Sequence, residues 1–298
     1  MKQIKSSINE IIFQTNEFLF DKFYTILFHF KIDEKFFIFL ANFRYLTRSL
    51  MNKKHSLNGK LVVSLTSYPD RYKTLNFTLR TILSQSIKPD KILLWIYKKD
   101  LKKIPKNVKE LQNKTFKIKT CNKDLKSYKK LLPTLKLYPK AFIITADDDA
   151  YYERNWLKKL IGNYRPSLNE VIGHWGVTIK TNSKGKIMPY VTWLREPIKN
   201  DIKKVMLIGV GGIFYPPNSL NKEVFNEKVF INKCKTADDI WFYFMSRKNN
   251  FKIKAISTKF RTHIWNECKK NNLSQINVFK KGNDISINNL VKYYGKPF

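Results

Sequence analysis

The feature that most constrains the fold of this 298-residue chain is an alternation of short apolar runs with stretches of helical spacing, which starts near residue 60. The apolar runs are almost uninterrupted Ile, Leu and Val, so they predict strands that are buried on both faces, as in a parallel sheet wrapped by helices. Four of these runs are LVVSLTSY (61–68), KILLWIY (91–97), FKIKT (116–120) and AFIITA (141–146). Segments 71–86 and 127–138 have helical spacing, although Pro133 should kink or shorten the second. The sequence therefore predicts one α/β domain over residues 60–298, with a mostly parallel central sheet flanked by helices.

Residues 1–55 differ in composition from the rest of the chain and predict a separate helical extension. Ten of the 22 phenylalanines lie there. Apolar residues recur at three- and four-residue steps between Ile8 and Ile26, which favours one or two amphipathic helices, and a basic stretch from Arg44 to Lys54 follows. An aromatic helix trailed by basic residues suits the surface of an anionic membrane. Packing against the main domain or a second subunit is the alternative.

The charge balance is strongly basic, with 57 Lys and Arg against 23 Asp and Glu and a formal net charge of +34. Such an excess attracts nucleic acid, anionic lipid or phosphorylated substrates, and by itself it does not choose among them. The three cysteines form no Cys-x-x-Cys pair, which argues against a disulfide framework and a structural zinc site. Glu10 and Glu17 interrupt the apolar start, and no apolar run approaches the roughly 20 residues that cross a bilayer. We expect a cytoplasmic protein that attaches peripherally to the inner face of the cytoplasmic membrane.

The sharpest chemical signal is a run of three aspartates, Asp147 to Asp149, directly after the predicted strand 141–146. In extended backbone alternate side chains face the same way, so Asp147 and Asp149 should converge while Asp148 faces the other side. A divalent cation would relieve their repulsion, and hard oxygen ligands favour Mg²⁺ or Mn²⁺. In open α/β sheets the functional crevice also lies at the carboxyl ends of the strands. A helix N-cap followed by an acidic first turn is the alternative, but it accounts for one aspartate better than for three.

Four segments, in a fixed order, carry a resemblance to a known family. They are LTSYPDRYKTLNFTLRTILSQSIKPDKILLWI, SYKKLLPTLKLYPKAFIITADDDAYYERNWL, GVGGIFYPP and ADDIWFYF. Together they resemble bacterial glycosyltransferases of the GT-A fold, related to glycosyltransferase family 2, over about residues 60–297. The resemblance implies a nucleotide-sugar donor and, as acceptor, a glycan or lipid-linked glycan of the lipopolysaccharide or capsule type. It also implies that Asp147 and Asp149 form an Asp-x-Asp motif that holds Mn²⁺ or Mg²⁺ on the donor diphosphate, with Asp148 among the donor-binding residues.

Two further groups of residues are candidates for contacting the donor. In the turn after the first strand, Thr66 and Ser67 offer hydroxyls and Tyr68 offers a ring to stack on a base, because a loop at this position is a usual nucleotide site. An ordinary proline turn is the alternative. The basic candidates for the diphosphate are Arg71, Lys129 and Lys130.

The segment GVGGIFYPP (209–217) concentrates three of the ten glycines, which predicts either local backbone freedom or a close approach to a ligand. It matches neither the dinucleotide fingerprint nor a P-loop. The resemblance implies that Gly211 and Gly212 lie beside the sugar-binding crevice. A bulged strand that ends at Pro216 and Pro217 is the alternative.

The segment TADDIWFYFMSRK (236–248) predicts a helix with Thr236 as N-cap and with Asp238 and Asp239 in its first turn. The helix dipole alone favours acids at this position. The resemblance implies instead that one of the two is the catalytic carboxylate that deprotonates the acceptor hydroxyl in an inverting transfer. Capping-box geometry would occupy Asp239 and leave Asp238, whereas analogy favours Asp239, so the choice stays open. The resemblance also offers His263 as a third metal ligand, with a structural role as the alternative.

Two other functions remain open from sequence. A metal-dependent phosphoryl-transfer enzyme or nuclease could use the same aspartates, with two ions about 4 Å apart and the basic charge facing a nucleic acid backbone. A non-enzymatic nucleic-acid-binding module is the third reading. It is weakened by the absence of zinc-finger and RNA-recognition signatures and by the carboxylates, which would repel a phosphate backbone. We therefore expect no nucleic acid partner.

Overall fold

The structure is a computed structural model that describes residues 33–48, 53–195, 204–257, 262–269, 273 and 275–298. The chain divides into two compact units, Met1–Leu40 and Ala41–Phe298. In the first unit the described residues form the first turns of helix α1, Glu34–Leu46. The amphipathic helices predicted between Ile8 and Ile26 lie outside the described residues, and the separate extension over residues 1–55 stays a prediction.

The second unit alternates strands and helices. Its strands are β1 Lys53–Lys54, β2 Leu61–Thr66, β3 Ile87–Lys88, β4 Lys91–Tyr97, β5 Phe116–Cys121, β6 Phe142–Thr145, β7 Glu170–Thr178, β8 Val205–Leu207, β9 Ile213–Tyr215 and β10 Lys252–Ser257. Its helices are α2 Tyr72–Leu83, α3 Lys106–Lys109, α4 Leu132–Leu137, α5 Trp156–Gly162, α6 Glu227–Lys233, α7 Asp238–Lys248, α8 Asn266–Lys269 and α9 Gly282–Tyr294. The four strands that we predicted from sequence are all present, each within two residues of its predicted ends.

Within the described residues, eight strands form the central sheet. The order along it is β10-β7-β9-β6-β2-β4-β5, and β8 pairs with β7 at the side. Strands β6, β2, β4 and β5 run parallel to one another, and β7 is parallel to β10. Strand β9 is antiparallel to both of its neighbours, β6 and β7. The predicted α/β class with a mostly parallel sheet is therefore confirmed, and β9 is the strand that makes the sheet mixed.

Both faces of the sheet are covered. Val62 and Ile143 point to one face and belong to the buried cluster that includes residues of α7, while Val63 and Ile144 point to the other face and belong to the cluster that includes residues of α2. Because successive side chains of a strand alternate in direction, a sheet with helices on both faces needs apolar residues at every position. This is the physical reason for the runs of Ile, Leu and Val in β2, β4 and β6. Strand β5 differs, because it lies at the edge of the sheet and its two lysines are exposed, so the predicted burial on both faces is wrong for this strand.

Both segments with predicted helical spacing, 71–86 and 127–138, contain helices in the structure. Leu75, Leu79 and Ile82 of α2 are fully buried and lie at steps of four and three residues, so they form one apolar stripe against the sheet. The predicted helix 127–138 is divided into a 3₁₀ turn, Lys126–Lys130, and the short helix α4. Pro133 lies in the first turn of α4, where its missing N–H costs no hydrogen bond.

One prediction about helix α7 was wrong. The helix begins at Asp238, and Ala237 rather than Thr236 occupies the N-cap position. The Thr236 hydroxyl donates to Asn277 Oδ1 (2.6 Å), and Asn277 Nδ2 donates back to the Thr236 carbonyl (2.9 Å). The hydroxyl that the local pattern assigned to the N-cap thus bonds to a residue 41 positions away in the chain.

Within the described ranges, no helix is long and apolar enough to span a membrane.

Candidate active site

The carboxyl ends of β2 and β6 lie side by side at one edge of the sheet because the two strands pair in parallel. Strand β6 ends at Thr145, and the three aspartates begin two residues later. Strand β2 ends at Thr66 and leads into the turn that carries Arg71. Polar side chains from both segments therefore meet at this edge, which is where open α/β sheets bind ligands.

Lys130 joins carboxylates from two distant segments of the chain. Its Nζ lies 2.9 Å from Asp147 Oδ1, 3.1 Å from Asp238 Oδ2 and 3.8 Å from Asp239 Oδ1. Burial of the lysine opposes its charge, but the three carboxylates more than offset that effect and hold its pKa well above the ordinary value. A charged ammonium is thus enclosed in the site, and one cation faces three acids.

Arg71 pairs with the last aspartate of the run. Its Nη1 donates to Asp149 Oδ2 at 2.6 Å, and the guanidinium is buried. The other oxygen, Asp149 Oδ1, is buried with no hydrogen-bond partner on another residue. Burial raises the pKa of Asp149 and the nearby charge of Asp147 adds to the rise, while Arg71 opposes it. Asp147 and Asp149 are thus close enough to repel each other, yet each faces its own cation.

Asp148 links the acidic run to the turn after β2. The Ser67 hydroxyl lies against its carboxylate, and the Thr78 hydroxyl donates to its carbonyl at 3.0 Å. Burial, together with repulsion from Asp149, raises the pKa of Asp148 to about 7. The expected contact of Asp148 with a donor stays a prediction.

The Asp238 and Asp239 pair enters the site from the first turn of α7. The side chain of Asp238 is 8% exposed, whereas that of Asp239 is 27% exposed. Asp239 Oδ2 accepts a hydrogen bond from the Gly209 amide at 2.8 Å. Burial raises the pKa of Asp239 to about 7, with Lys130 opposing and Asp238 adding to the rise. The side chain of Asp239 is thus the more exposed of the two, although its Oδ1 is buried, and a carboxyl with this pKa can take a proton near neutral pH.

The glycine segment is held against the acidic run by Tyr152, a residue that the sequence did not single out. Its hydroxyl accepts from the Asp147 amide at 2.8 Å and donates to the Val210 carbonyl at 3.2 Å. Tyr152 is fully buried, and a buried phenol needs such partners. The signal that could have identified it is its position in the sequence, because Tyr152 is an aromatic residue five positions after Asp147.

Gly211 and Gly212 are explained by a close approach inside the protein. Gly212 has φ +87°, and an added Cβ would lie 2.5 Å from the ring of Trp156. The Trp156 Nε1 donates to the Gly211 carbonyl at 2.7 Å. The segment forms a 3₁₀ turn, Gly209–Gly211, followed by β9, which ends directly before Pro216, so the strand considered from sequence forms but its glycines make a turn instead of a bulge. A role for these glycines beside a bound sugar stays a prediction.

The two adjacent lysines face different carboxylates. Lys129 pairs with Asp124, and Lys130 faces the acidic cluster. They lie in a 3₁₀ turn, in which neighbouring residues point about 120° apart, so both cannot address one ligand from the same side. The structure therefore favours Lys130 over Lys129 as the predicted contact to a diphosphate.

The residues of the turn after β2 that we predicted to contact a nucleotide differ in their surroundings. The Thr66 hydroxyl donates to the Trp95 carbonyl of the neighbouring strand at 2.8 Å. Tyr68 is 39% exposed, and its hydroxyl accepts from Arg71 Nε at 3.2 Å. The turn thus presents an aromatic ring next to a cation at the edge of the site, which is compatible with stacking of a nucleotide base.

His263 lies on a segment that pairs with the acidic run. The isolated bridge between Ala150 and Ile264 brings residues 262–265 alongside it, and Trp265 donates its amide to the Asp149 carbonyl at 3.0 Å. The His263 ring packs edge-on against Trp265, with centroids 5.2 Å apart. Its role as a metal ligand stays a prediction.

The chemistry of the donor set fits a hard divalent cation. Asp149 Oδ1 is a buried oxygen without a hydrogen-bond partner on another residue, and the side chain of Asp147 is partly exposed beside it, so both can offer the carboxylate oxygens that Mg²⁺ or Mn²⁺ prefers. In the part of the chain that the structure describes, no three His, Cys, Asp or Glu side chains form a ready-made metal cluster. A metal here would therefore complete its coordination with water and with oxygens of a bound diphosphate, as Mg²⁺ sites usually do.

No family profile and no curated protein sequence matches this chain. Among solved structures, a 4-diphosphocytidyl-2C-methyl-D-erythritol synthase from Anaerococcus prevotii DSM 20548 is 16% identical, with a TM-score of 0.46 over 71% of this chain and 94% of that one. A mannosyltransferase from Pyrobaculum calidifontis in complex with GDP-Man and Mn²⁺ is 9% identical, with a TM-score of 0.43 over 74% and 61%. TarS residues 1–349 from S. aureus are 15% identical, with a TM-score of 0.44 over 78% and 65%. The chain spans less than two thirds of the last two, and likenesses this distant do not assign an activity.

Proposed function

We propose that this protein is a metal-dependent, inverting glycosyltransferase of GT-A type that moves a sugar from a nucleotide-diphosphate donor to a hydroxyl of a glycan or lipid-linked glycan. The observation that carries the proposal is the meeting of Asp147 and the pair Asp238 and Asp239 around Lys130 at the carboxyl edge of the sheet. Acids more than 90 residues apart in the chain are brought within reach of one cation there.

The donor half of the reaction needs stabilisation of a departing diphosphate. Asp147 and Asp149 would hold Mn²⁺ or Mg²⁺, which supplies charge stabilisation to the leaving diphosphate. Arg71 lies beside Asp149, and its guanidinium is suited to phosphate oxygens. The exposed ring of Tyr68 next to it is suited to a nucleotide base.

The acceptor half needs a carboxylate that removes a proton from the attacking hydroxyl. Asp239 would perform this step, because its side chain is partly accessible and its Oδ2 is fixed by the Gly209 amide. The bond to the amide holds the carboxylate in one orientation, and a pKa near neutral pH favours proton transfer. Asp238, more deeply buried against Lys130, would hold the lysine in place.

The competing phosphoryl-transfer function has less support. A two-metal site needs carboxylates from separate elements around two ions, whereas here Lys130 takes up the space between the acids of β6 and α7. We therefore propose a nucleotide-sugar donor rather than a nucleic acid substrate. We also propose that the acceptor is a surface glycan of lipopolysaccharide or capsule type and that the protein attaches to an anionic membrane from the cytoplasm. Both parts of the proposal rest on the sequence.

The test is a donor panel on the full chain. UDP-, GDP-, CDP- and dTDP-sugars are incubated with the protein and Mn²⁺ or Mg²⁺, and thermal stabilisation and nucleotide release are measured. One nucleotide class should stabilise the protein only when metal is present, and that class should release its nucleotide faster with glycan acceptors. If oligonucleotides alone stabilise the protein and are cleaved, the phosphoryl-transfer function replaces this one.

A further inference from the structure

The charges around Lys130 affect how a metal ion can enter the site. Three carboxylates lie within 3.8 Å of its ammonium, and two of them come from α7 and one from the run after β6. The next cation, Arg71, is already paired with Asp149. Buried acids that lack a cation are costly, so the ammonium occupies the position that an incoming metal ion would seek.

We propose that Lys130 is an internal counter-ion that keeps free Mg²⁺ or Mn²⁺ out of the site and releases Asp147 only to a metal that arrives with a nucleoside diphosphate. This inference rests on the proposed function and deepens it, because it specifies that metal and donor bind together. It makes Lys130 a positioning residue for the acids rather than a simple diphosphate contact.

Electrostatics explains why the diphosphate is needed. Asp147 Oδ1 lies 2.9 Å from Lys130 Nζ, so a divalent ion that binds this oxygen comes within a few ångströms of a fixed positive charge. The ammonium itself is buried and only Asp147 of this pair is partly exposed, so water screens the repulsion less than it would on an open surface. A diphosphate supplies negative oxygens that satisfy both the metal and the ammonium, so it removes the repulsion that the metal alone would meet.

The side chain of Lys130 is suited to such an exchange. Its ammonium is a compact charge on a flexible four-carbon stem, and it can move from carboxylate to phosphate oxygens without a change in the backbone. Its neighbour Lys129 is equally buried but is neutralised by Asp124, outside the cluster. The chain therefore contains a matched control one residue away.

The experiment measures Mn²⁺ binding by electron paramagnetic resonance, with and without UDP, GDP or CDP, for the wild type, Lys130→Met and Lys129→Met. In the wild type, one of the nucleotides should tighten Mn²⁺ binding by roughly tenfold or more, a usual size for coupling between ligands. Lys130→Met should bind Mn²⁺ alone roughly tenfold more tightly than the wild type and should lose most of the nucleotide dependence. Lys129→Met should behave as the wild type. Circular dichroism checks folding, and Lys130→Gln, which keeps a hydrogen-bond donor, carries the same expectation if the Met variant does not fold.

The outcomes separate this inference from the proposed function. Wild-type protein that binds one of the nucleotides, yet binds Mn²⁺ equally well with and without it, overturns the counter-ion role and needs no variant to show it. A folded Lys130 variant with unchanged affinity for Mn²⁺ alone overturns it as well, even if nucleotide sugars are turned over. A gain in Mn²⁺ affinity in Lys130→Met, with every nucleotide failing to bind, supports the counter-ion and refutes the glycosyltransferase.

Discussion

The amide of Gly209 donates a hydrogen bond to Asp239 Oδ2 at 2.8 Å, and it joins the turn before β9 to the first turn of α7. An added Cβ on Gly209 would lie 2.5 Å from Asp239 Oδ1. The glycine is therefore needed so that the backbone can approach the carboxylate closely enough to fix its orientation.

Gly209→Ala should displace the carboxylate of Asp239 because the new methyl group and the oxygen cannot occupy the same space. A displacement of about 1 Å at a catalytic group can reduce the rate by about 10²-fold. We expect a loss of that order in nucleotide release with acceptor present, measured under saturating donor and Mn²⁺.

Gly162→Ala is the matched control. It lies at the end of helix α5, and an added Cβ would meet nothing within 4 Å. Alanine is the better helix former by up to about 1 kcal/mol, so this variant should be as stable as the wild type or more stable, with unchanged activity. Equal loss of activity in both glycine variants would contradict the steric argument.

Tyr152→Phe removes the hydroxyl that bridges the Asp147 amide and the Val210 carbonyl. Loss of one partner of a buried hydrogen bond costs about 1–3 kcal/mol. Urea denaturation should therefore show a lower free energy of unfolding, and metal-dependent nucleotide binding should weaken because Asp147 is held less firmly. Tyr164→Phe, in the ring cluster with Phe142 and Phe214, is the control for removal of a tyrosine hydroxyl from the fold. A wild-type unfolding midpoint in Tyr152→Phe would show that the bridge does not stabilise the site.

Asp147→Asn should remove most of the transfer activity while the protein stays folded. The substitution keeps the side-chain volume but removes a metal ligand and one partner of Lys130. We expect at least a 10²-fold reduction in nucleotide release, the usual scale for loss of a charge that stabilises a transition state. Glu110→Gln alters an exposed pair with Lys106 and should have no effect. Full activity in Asp147→Asn would exclude the proposed metal site.

The stability of the metal-free protein should depend on pH through its buried acids. Burial raises the pKa of Asp239 and of Asp148 to about 7, so the folded state keeps protons that the unfolded chain has already released. The free energy of unfolding should therefore fall as pH rises from about 5 to about 8. Two groups act in the opposite direction: His174, whose pKa burial lowers to about 4, offsets part of this fall below about pH 6.5, and Asp124, whose pKa is lowered to about 2, acts only in acid. Urea midpoints at several pH values should show a shallower decline for Asp239→Asn, and an identical slope would contradict the assignment.

The membrane proposal is tested best by a truncation that spares Arg44. This residue is buried, and its Nη1 donates to the Tyr151 hydroxyl and the Tyr152 carbonyl, each at 2.9 Å. Deletion of residues 1–55 would remove these bonds, so loss of membrane binding could not be distinguished from loss of folding.

Deletion of residues 1–32 should release the protein from anionic liposomes in a sedimentation assay and leave its melting temperature unchanged. Arg44→Met should instead lower the free energy of unfolding by about 2 kcal/mol without affecting liposome binding. Retention of the truncated protein on liposomes would reject the anchor.

Local pattern alone was sufficient for the four parallel strands β2, β4, β5 and β6 and for the position of the aspartates, but not for the remaining strands of the sheet. Strands such as Lys91–Tyr97 are predicted correctly because a buried parallel strand needs apolar residues on both faces, which produces a run of consecutive apolar residues in the sequence. The acidic run follows its strand by chain connectivity, so its location at the carboxyl edge needed no long-range information.

The partners of each polar group were decided only by the tertiary structure. Thr236 has the sequence of a helix cap but bonds to Asn277, and Lys129 and Lys130 look equivalent in sequence yet face different acids. The contact of Gly209 with Asp239 joins residues 30 positions apart, and nothing in either segment specifies it. Hydrogen bonds and ion pairs act over a few ångströms, so their partners are set by which segments the folded sheet brings together, whereas hydrophobic periodicity is local and can be read directly from the chain.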